Sequence, residues 1–148
     1  MNKNLMVNKK EYIIIPKKKL IIEYYSGKYQ VNELIAFKEA ICADKNYNPN
    51  FNVINDFRDA EFLFEIDEIS KYIQFILKTK KSYGHRKATM LTKTPNQVVT
   101  SLGFEMLKKD IPIMVKVVST IEAAIDFIGL SLKDKTSIET CIKQMKYT

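Results

Sequence analysis

Phe51-Asn52-Val53-Ile54-Asn55-Asp56-Phe57-Arg58-Asp59 is the stretch that decides the fold. Its first half is aromatic and β-branched, which suits a pleated strand. Its second half is a knot of charge, and a helical period begins soon after, near Asp67. A strand that passes through a charged end into a helix is the repeating unit of an α/β sheet.

Upstream, Glu11 to Ile15 and Leu20 to Tyr25 are short β-rich runs separated by Pro16 and three lysines, the pattern of a hairpin. Proline cannot donate to a ladder, so Pro16 belongs in the turn. After Ser26 and Gly27 the period changes: Val31, Leu34, Phe37 and Ile41 mark one face of a helix, with Gln30 and Glu33 as a weak capping box. The Asn-rich segment Asn46 to Asn50, containing Pro49, ends that helix and leads into the deciding strand.

Downstream, Ala60 to Ile66 carries Phe62, Leu63 and Phe64 together in an extended loop. Ile66, Ile69, Ile73 and Ile76 then predict a helix from about Asp67 to Ser82, closed by lysines and Gly84. Ala88 to Thr92 reads as a strand. Thr94-Pro95-Asn96-Gln97 is a helix start in which Thr94 and Gln97 cap each other's amides, and Val99, Leu102 and Met106 form the expected apolar face. Ile113 to Val118 is the last strand. Ser119-Thr120-Ile121-Glu122 repeats the capping pattern, and Gly129-Leu130 stops that helix. Beyond it, Thr136 with Glu139, and the stripe Ile138, Cys141, Ile142 and Met145, predict an amphipathic helix that docks on its own domain or on a second copy.

The fold class that follows is α/β, a mixed central sheet of about five strands with an antiparallel edge. The order is β-β-α-β-α-β-α-β-α plus a C-terminal helix. The expected organisation is a basic lead over 1–10, an α/β domain over 11–130 and the amphipathic helix over 131–148. At 148 residues the chain is long enough to bury a core without disulfides or metal. The two cysteines, Cys42 and Cys141, have no metal spacing and read as buried thiols of a reducing cytosol. No signal-peptide core and no membrane-length apolar run is seen, so a cytoplasmic location is expected.

Formal net charge is +7, concentrated in Lys9, Lys10 and Lys17 to Lys19 near the start and Lys78 to Lys87 in the middle. These runs lack interleaved aromatics and glycine turns, so a solvated surface is favoured over nucleic acid. His85 is the only histidine, which disfavours an imidazole metal site; no cofactor is expected.

The element order, the strand ending in Asp56-Phe57-Arg58-Asp59, the Thr94-Pro95-Asn96 helix start and the closing Ser119-Thr120-Ile121-Glu122-Ala123-Ala124 give the chain its resemblance. Over about Glu11 to Leu130 it resembles a STAS-like domain of the anti-sigma-factor antagonist type, among small bacterial proteins with distant kinship to CRAL-TRIO lipid-transfer domains. The resemblance implies a non-catalytic binding or regulatory domain. In such regulators the loop after this strand presents a phosphorylatable Ser or Thr at the next helix start. Here Phe64-Glu65-Ile66-Asp67-Glu68 has no hydroxyl before Ser70, which argues against the usual phospho-switch.

Crevices in open α/β sheets form beyond the carboxyl ends of strands. Asp56, Arg58 and Asp59, then Thr94, Asn96 and Gln97, then Ser119 and Thr120 should converge there. Free amides at the two helix starts would suit an anion. The bland reading is that Arg58 pairs with Asp56 or Asp59 and the hydroxyls only cap. Receiver domains also place an acid at a strand end, but they need an acidic pair after the first strand and Lys-Pro after the last, which this chain lacks.

The leading expectation is a non-enzymatic module that recognises a protein partner or a small amphiphilic or anionic ligand at the edge after the third strand, with Phe62, Phe64 and Asp67 contributing. One alternative is a lipid or fatty-acid carrier with an apolar cavity under the second and third helices. Another is an enzyme of unknown type built on Asp56, Arg58 and Asp59. A homodimer through the last helix is expected as well.

Overall fold

A computed structural model describes residues 7–148. Five strands form one sheet in the order of the chain: β1 (Lys9–Ile15), β2 (Leu20–Tyr29), β3 (Asn52–Phe62), β4 (Arg86–Leu91) and β5 (Ile113–Val118). β1 and β2 are an antiparallel hairpin, and every later neighbour pairs in parallel. The hairpin turns through Pro16–Lys18, with Lys19 in the left-handed region at φ 50°. Of the expected basic lead, residues 1–6 lie outside the described part, while Lys9 and Lys10 already belong to β1.

Five helices cover the sheet: α1 (Val31–Cys42), α2 (Ile66–Lys78), α3 (Pro95–Leu107), α4 (Ile121–Ile128) and α5 (Lys135–Tyr147). The strand order advances in one direction, so crossovers of one hand lay α1, α2 and α3 side by side on one face. α4 and α5 take the other face, α4 against β4 and β5, α5 against β1 and β2. The fold is the mixed α/β sheet with an antiparallel edge that the sequence predicts.

The two faces bury different chemistry. Beneath α1–α3 the core is aromatic, with Tyr25, Tyr29, Phe37, Phe62 and Phe104 buried and Phe57, Phe64 and Tyr72 packed partly against them. Beneath α4 and α5 it is aliphatic, built from Leu20, Ile22, Ile54, Leu91, Ile125, Ile138 and their neighbours, with Tyr24 its only buried aromatic.

Several boundaries move. β2 runs to Tyr29, past the Ser26-Gly27 break the period suggests; Gly27 takes φ +102°, a region where L side chains are strained. β3 runs through Phe62, leaving only Leu63 to Glu65 as loop. α2 ends at Lys78, and a separate helical turn over Lys80–Ser82 follows. α5 starts at Lys135 after a turn over Leu132–Asp134, so Thr136 is inside the helix and caps nothing at its start. Both cysteines are free and half-buried, less enclosed than expected.

The largest departure is α3. Val99, Leu102 and Met106, the expected core stripe, are 66%, 43% and 72% exposed, while Gln97, Ser101, Gly103 and Phe104 are buried. Both stripes have helical spacing, so periodicity alone leaves the choice open. Polar anchoring decides it, because Gln97 finds main-chain partners on β3. Gly103 lets α2 approach closely: a Cβ there would stand 2.8 Å from Ile69 Cδ1 and 3.3 Å from Ile66 Cγ1.

α5 buries Ile138, Ile142 and Met145 against the protein's own sheet. A dimer through that stripe would have to displace the helix, so the surface expected for it is occupied.

Candidate functional site

A crevice of about 600 Å³ opens beyond the carboxyl ends of the strands, bounded by β3, the loops after β4 and β5, and α5. Its floor is made by an irregularity in β3. Tyr24 pairs with Asp56 and Ser26 with Asp59, so β3 spends three residues where β2 spends two. Such a bulge breaks alternation and re-aims side chains. Asp56, Arg58 and Asp59 therefore all reach the crevice on the α5 side.

Asp56 is buried, and its carboxylate accepts from Arg58 Nε at 3.0 Å and Nη2 at 2.9 Å. This two-pronged pair is the stronger geometry for a guanidinium, and the hydrogen bond to Asp56 holds the Arg58 charge more firmly than usual. Asp59 Oδ2 accepts from the Tyr24 hydroxyl at 2.7 Å and lies 3.2 Å from Lys146 Nζ at the end of α5. Partial burial works to raise the Asp59 pKa, but Tyr24, Lys146 and Arg58 outweigh it and the net direction is down. Burial, then the Asp59 hydrogen bond, pushes the Tyr24 hydroxyl well up. Asp59 is held ionised, and both carboxylates are occupied.

The α3 start lines an adjoining crevice of about 730 Å³ that shares Tyr24, Arg58, Asp59 and Lys146 with the first. Thr94 Oγ1 accepts from Gln97 N at 3.4 Å, and Gln97 Oε1 accepts from Lys93 N at 2.6 Å and Thr94 N at 3.1 Å. Gln97 Nε2 donates to the Arg58 and Ala60 carbonyls at 3.1 and 2.7 Å, with the side chain only 1% exposed. Asn96 clamps the end of β3: its Oδ1 accepts from Phe62 N at 2.8 Å and its Nδ2 donates to Phe62 O at 2.9 Å. Thr120 Oγ1 accepts from Ala123 N at 3.1 Å, and Ser119 lines the crevice beside it. These polar residues lie at the same end of the sheet, and their hydrogen bonds go to one another, to the main chain or to Tyr24 and Lys146.

Phe62, Phe64 and Asp67 lie elsewhere. Phe62 and Phe64 turn to the aromatic face, 5.6 Å apart between ring centres, and line an interior cavity of about 90 Å³. Asp67 is exposed in the first turn of α2. The expected single site is thus two sites on opposite sides of the sheet.

A further group was not foreseen. Glu23, in the apolar run Leu20-Ile21-Ile22-Glu23-Tyr24-Tyr25, is buried and accepts from Lys38 Nζ at 3.1 Å and the Tyr25 hydroxyl at 2.5 Å. One acid within an otherwise apolar strand is the signal that could have revealed it. Arg86, also buried, opens β4. His85 next to it is exposed. Among the described residues no group of three or more His, Cys, Asp or Glu could hold a metal, and no helix is long and apolar enough to cross a membrane.

No protein-family model matches the sequence, and no curated protein matches it. Among solved structures the chain is similar to an uncharacterized protein of the DUF3478 family with a SpoIIAA-like fold from Shewanella loihica PV-4. The TM-score is 0.54 at 12% identity, over 86% of this chain and 98% of that one. It is also similar to an anti-sigma factor antagonist from Mycobacterium paratuberculosis, with a TM-score of 0.48 at 15% identity over 86% of this chain and 97% of that one. The first of these shows the fold to be STAS-like, of the SpoIIAA type. At these identities the likeness speaks for the fold alone, and neither structure supports the expected kinship with lipid-transfer domains.

Proposed function

We propose that this protein is a non-enzymatic binding or regulatory domain that docks a protein partner on the surface made by Leu63, Ile66 and the outer stripe of α3. One observation carries the reading: Val99, Leu102 and Met106 point to solvent along a single helix face, and Ile66 lies beside that face against Gly103. A contiguous exposed apolar strip of this kind marks an interaction surface. Its rim is acidic. Glu61, Glu65 and Asp67 are exposed and Glu68 is half-exposed; Glu61 and Glu68 lie 3.9 and 3.8 Å from Lys28 and Lys71, and among the described residues Glu65 and Asp67 have no ion pair. In a chain of net charge +7 this is a local reversal of sign. It suits a partner whose apolar anchors are flanked by basic side chains. The docking edge adjoins the short loop that the resemblance singles out.

Catalysis by Asp56, Arg58 and Asp59 is the weaker reading. A general acid at neutral pH needs a raised pKa, and Asp59 moves the other way. A fatty-acid carrier needs room for an acyl chain. The cavity beneath the helices, at about 90 Å³, is smaller than the ~150 Å³ void that admits one benzene.

Crosslinked capture from the native cell, comparing wild type with Leu102→Asp/Met106→Asp, tests the docking reading. Both positions are exposed, so the variant keeps its fold. The expected result is a partner held by the wild type, released by the variant and weakened by salt; identical captures overturn the proposal.

A further inference from the structure

The aromatic face encloses a charge that the protein does not neutralise. Arg86 is 4% exposed, at the amino end of β4, and lines the interior cavity. Its Nη2 donates to the Asn48 carbonyl at 2.9 Å and the Tyr47 hydroxyl at 3.3 Å, both neutral, and its Nε has no partner. Among the described residues it forms no ion pair with any carboxylate. The other cation on the cavity wall, Lys38, is matched by Glu23, so the wall as a whole carries one positive charge in excess. A buried guanidinium without an anion is costly unless something supplies one.

A second group is orphaned in the same lining. Ser101, 2% exposed on the buried stripe of α3, has a hydroxyl without a partner. The remaining wall is mainly apolar, with Val53, Phe57, Ile69, Met90 and Phe104 among it. A small apolar chamber with a few unsatisfied polar groups is the ordinary composition of a ligand site.

We infer that this cavity binds a short-chain organic monoanion, its carboxylate on Arg86 Nε and its hydrocarbon part along the aromatic wall. The space fixes the size. The ~150 Å³ cavity of that comparison takes the six heavy atoms of benzene, so about 90 Å³ fits an acid of about four heavy atoms, the size of acetate, and excludes a long acyl chain. The site lies on the opposite side of the sheet from the Asp59 crevice and does not depend on the docking stripe, so either reading can fail without the other.

Thermal-shift and calorimetric titrations of the full chain test this with acetate, its neutral isostere acetamide, and decanoate. Ligand that binds only the folded state raises Tm with concentration. Acetate is expected to raise Tm and saturate at or below about 10 mM, with acetamide and decanoate giving no saturable shift. Arg86→Gln should weaken acetate at least about tenfold, and Ser101→Leu, which fills the chamber, should abolish it. A cavity that holds water only would show no difference between acetate and acetamide. That result overturns the inference in the wild type alone, whether or not the variants fold; so does acetate binding that survives in folded Arg86→Gln and Ser101→Leu.

Discussion

One sheet separates two cores that solve the packing problem differently. Beneath α4 and α5, branched aliphatic side chains such as Ile54, Ile125, Ile138 and Ile142 interlock, and the strand-end crevice touches this core only at its rim, at Tyr24, Ile121 and Ile142. Beneath α1–α3, rings meet edge to face, as Tyr25 does with Phe37 at 5.3 Å and Phe57 with Phe62 at 4.9 Å. Flat, rigid rings in such arrangements leave gaps that methyl groups would fill. Into that looser core the protein also places Glu23, Lys38, Arg86 and Ser101. The dry face gives cohesion; the aromatic face has room and uncommitted hydrogen-bonding capacity.

The sharpest way to break the contrast is to remove one ion from the aromatic face. Lys38→Met leaves Glu23 buried with only Tyr25 as a partner, and should cost about 3–5 kcal/mol in urea unfolding. Adding Glu23→Leu should recover most of that loss, because the pair is replaced by apolar volume. On the dry face, Ile138→Ala removes a fully buried side chain and should cost about 3 kcal/mol, with no rescue from a second substitution.

The smallest effect lies at the crevice. The Asp59 pKa is lowered in the folded state from an ordinary value of 3.8. Its contribution is therefore present above that value and lost as pH falls through the folded one. Wild type should lose more stability than Lys146→Met between about pH 5 and pH 2, by about 1 kcal/mol or less since the pair is partly exposed. Parallel Tm-against-pH curves for the two proteins would show that the Lys146 contact contributes nothing.

The contrast was only half legible in the sequence. The hairpin around Pro16, the Thr94 cap and the α4 and α5 stripes are local signals, and local physics decided them. The α3 stripe was misread because Val99, Leu102 and Met106 have the same period as Gln97, Ser101 and Phe104. Only the carbonyls of Arg58 and Ala60, brought in from β3, show which stripe turns inward. The bulge was equally hidden. A register shift is a relation between two strands: a strand-end position predicts that Asp56 and Asp59 converge on one crevice, but nothing within Phe51 to Asp59 reveals the bulge that lets residues three apart share it. The gathering of polar residues at the strand ends follows from topology, and the Arg58–Asp56 pair and the Thr94 and Thr120 caps match the bland reading; the reach of Gln97 and Asn96 to the β3 main chain does not show in the sequence.

The strand order has a kinetic consequence. Each strand pairs with the one made just before it, so successive units can add to an existing edge with little loop entropy to overcome. A single long-range closure stands apart: α5 returns to the opening hairpin, where Lys9 Nζ donates to the Lys146 carbonyl across a sequence separation of 137. Until that helix arrives, Leu20, Ile22 and Tyr24 have no cover. Folding should therefore end with α5 as the last unit to lock, and native-state hydrogen exchange should find it among the first to open.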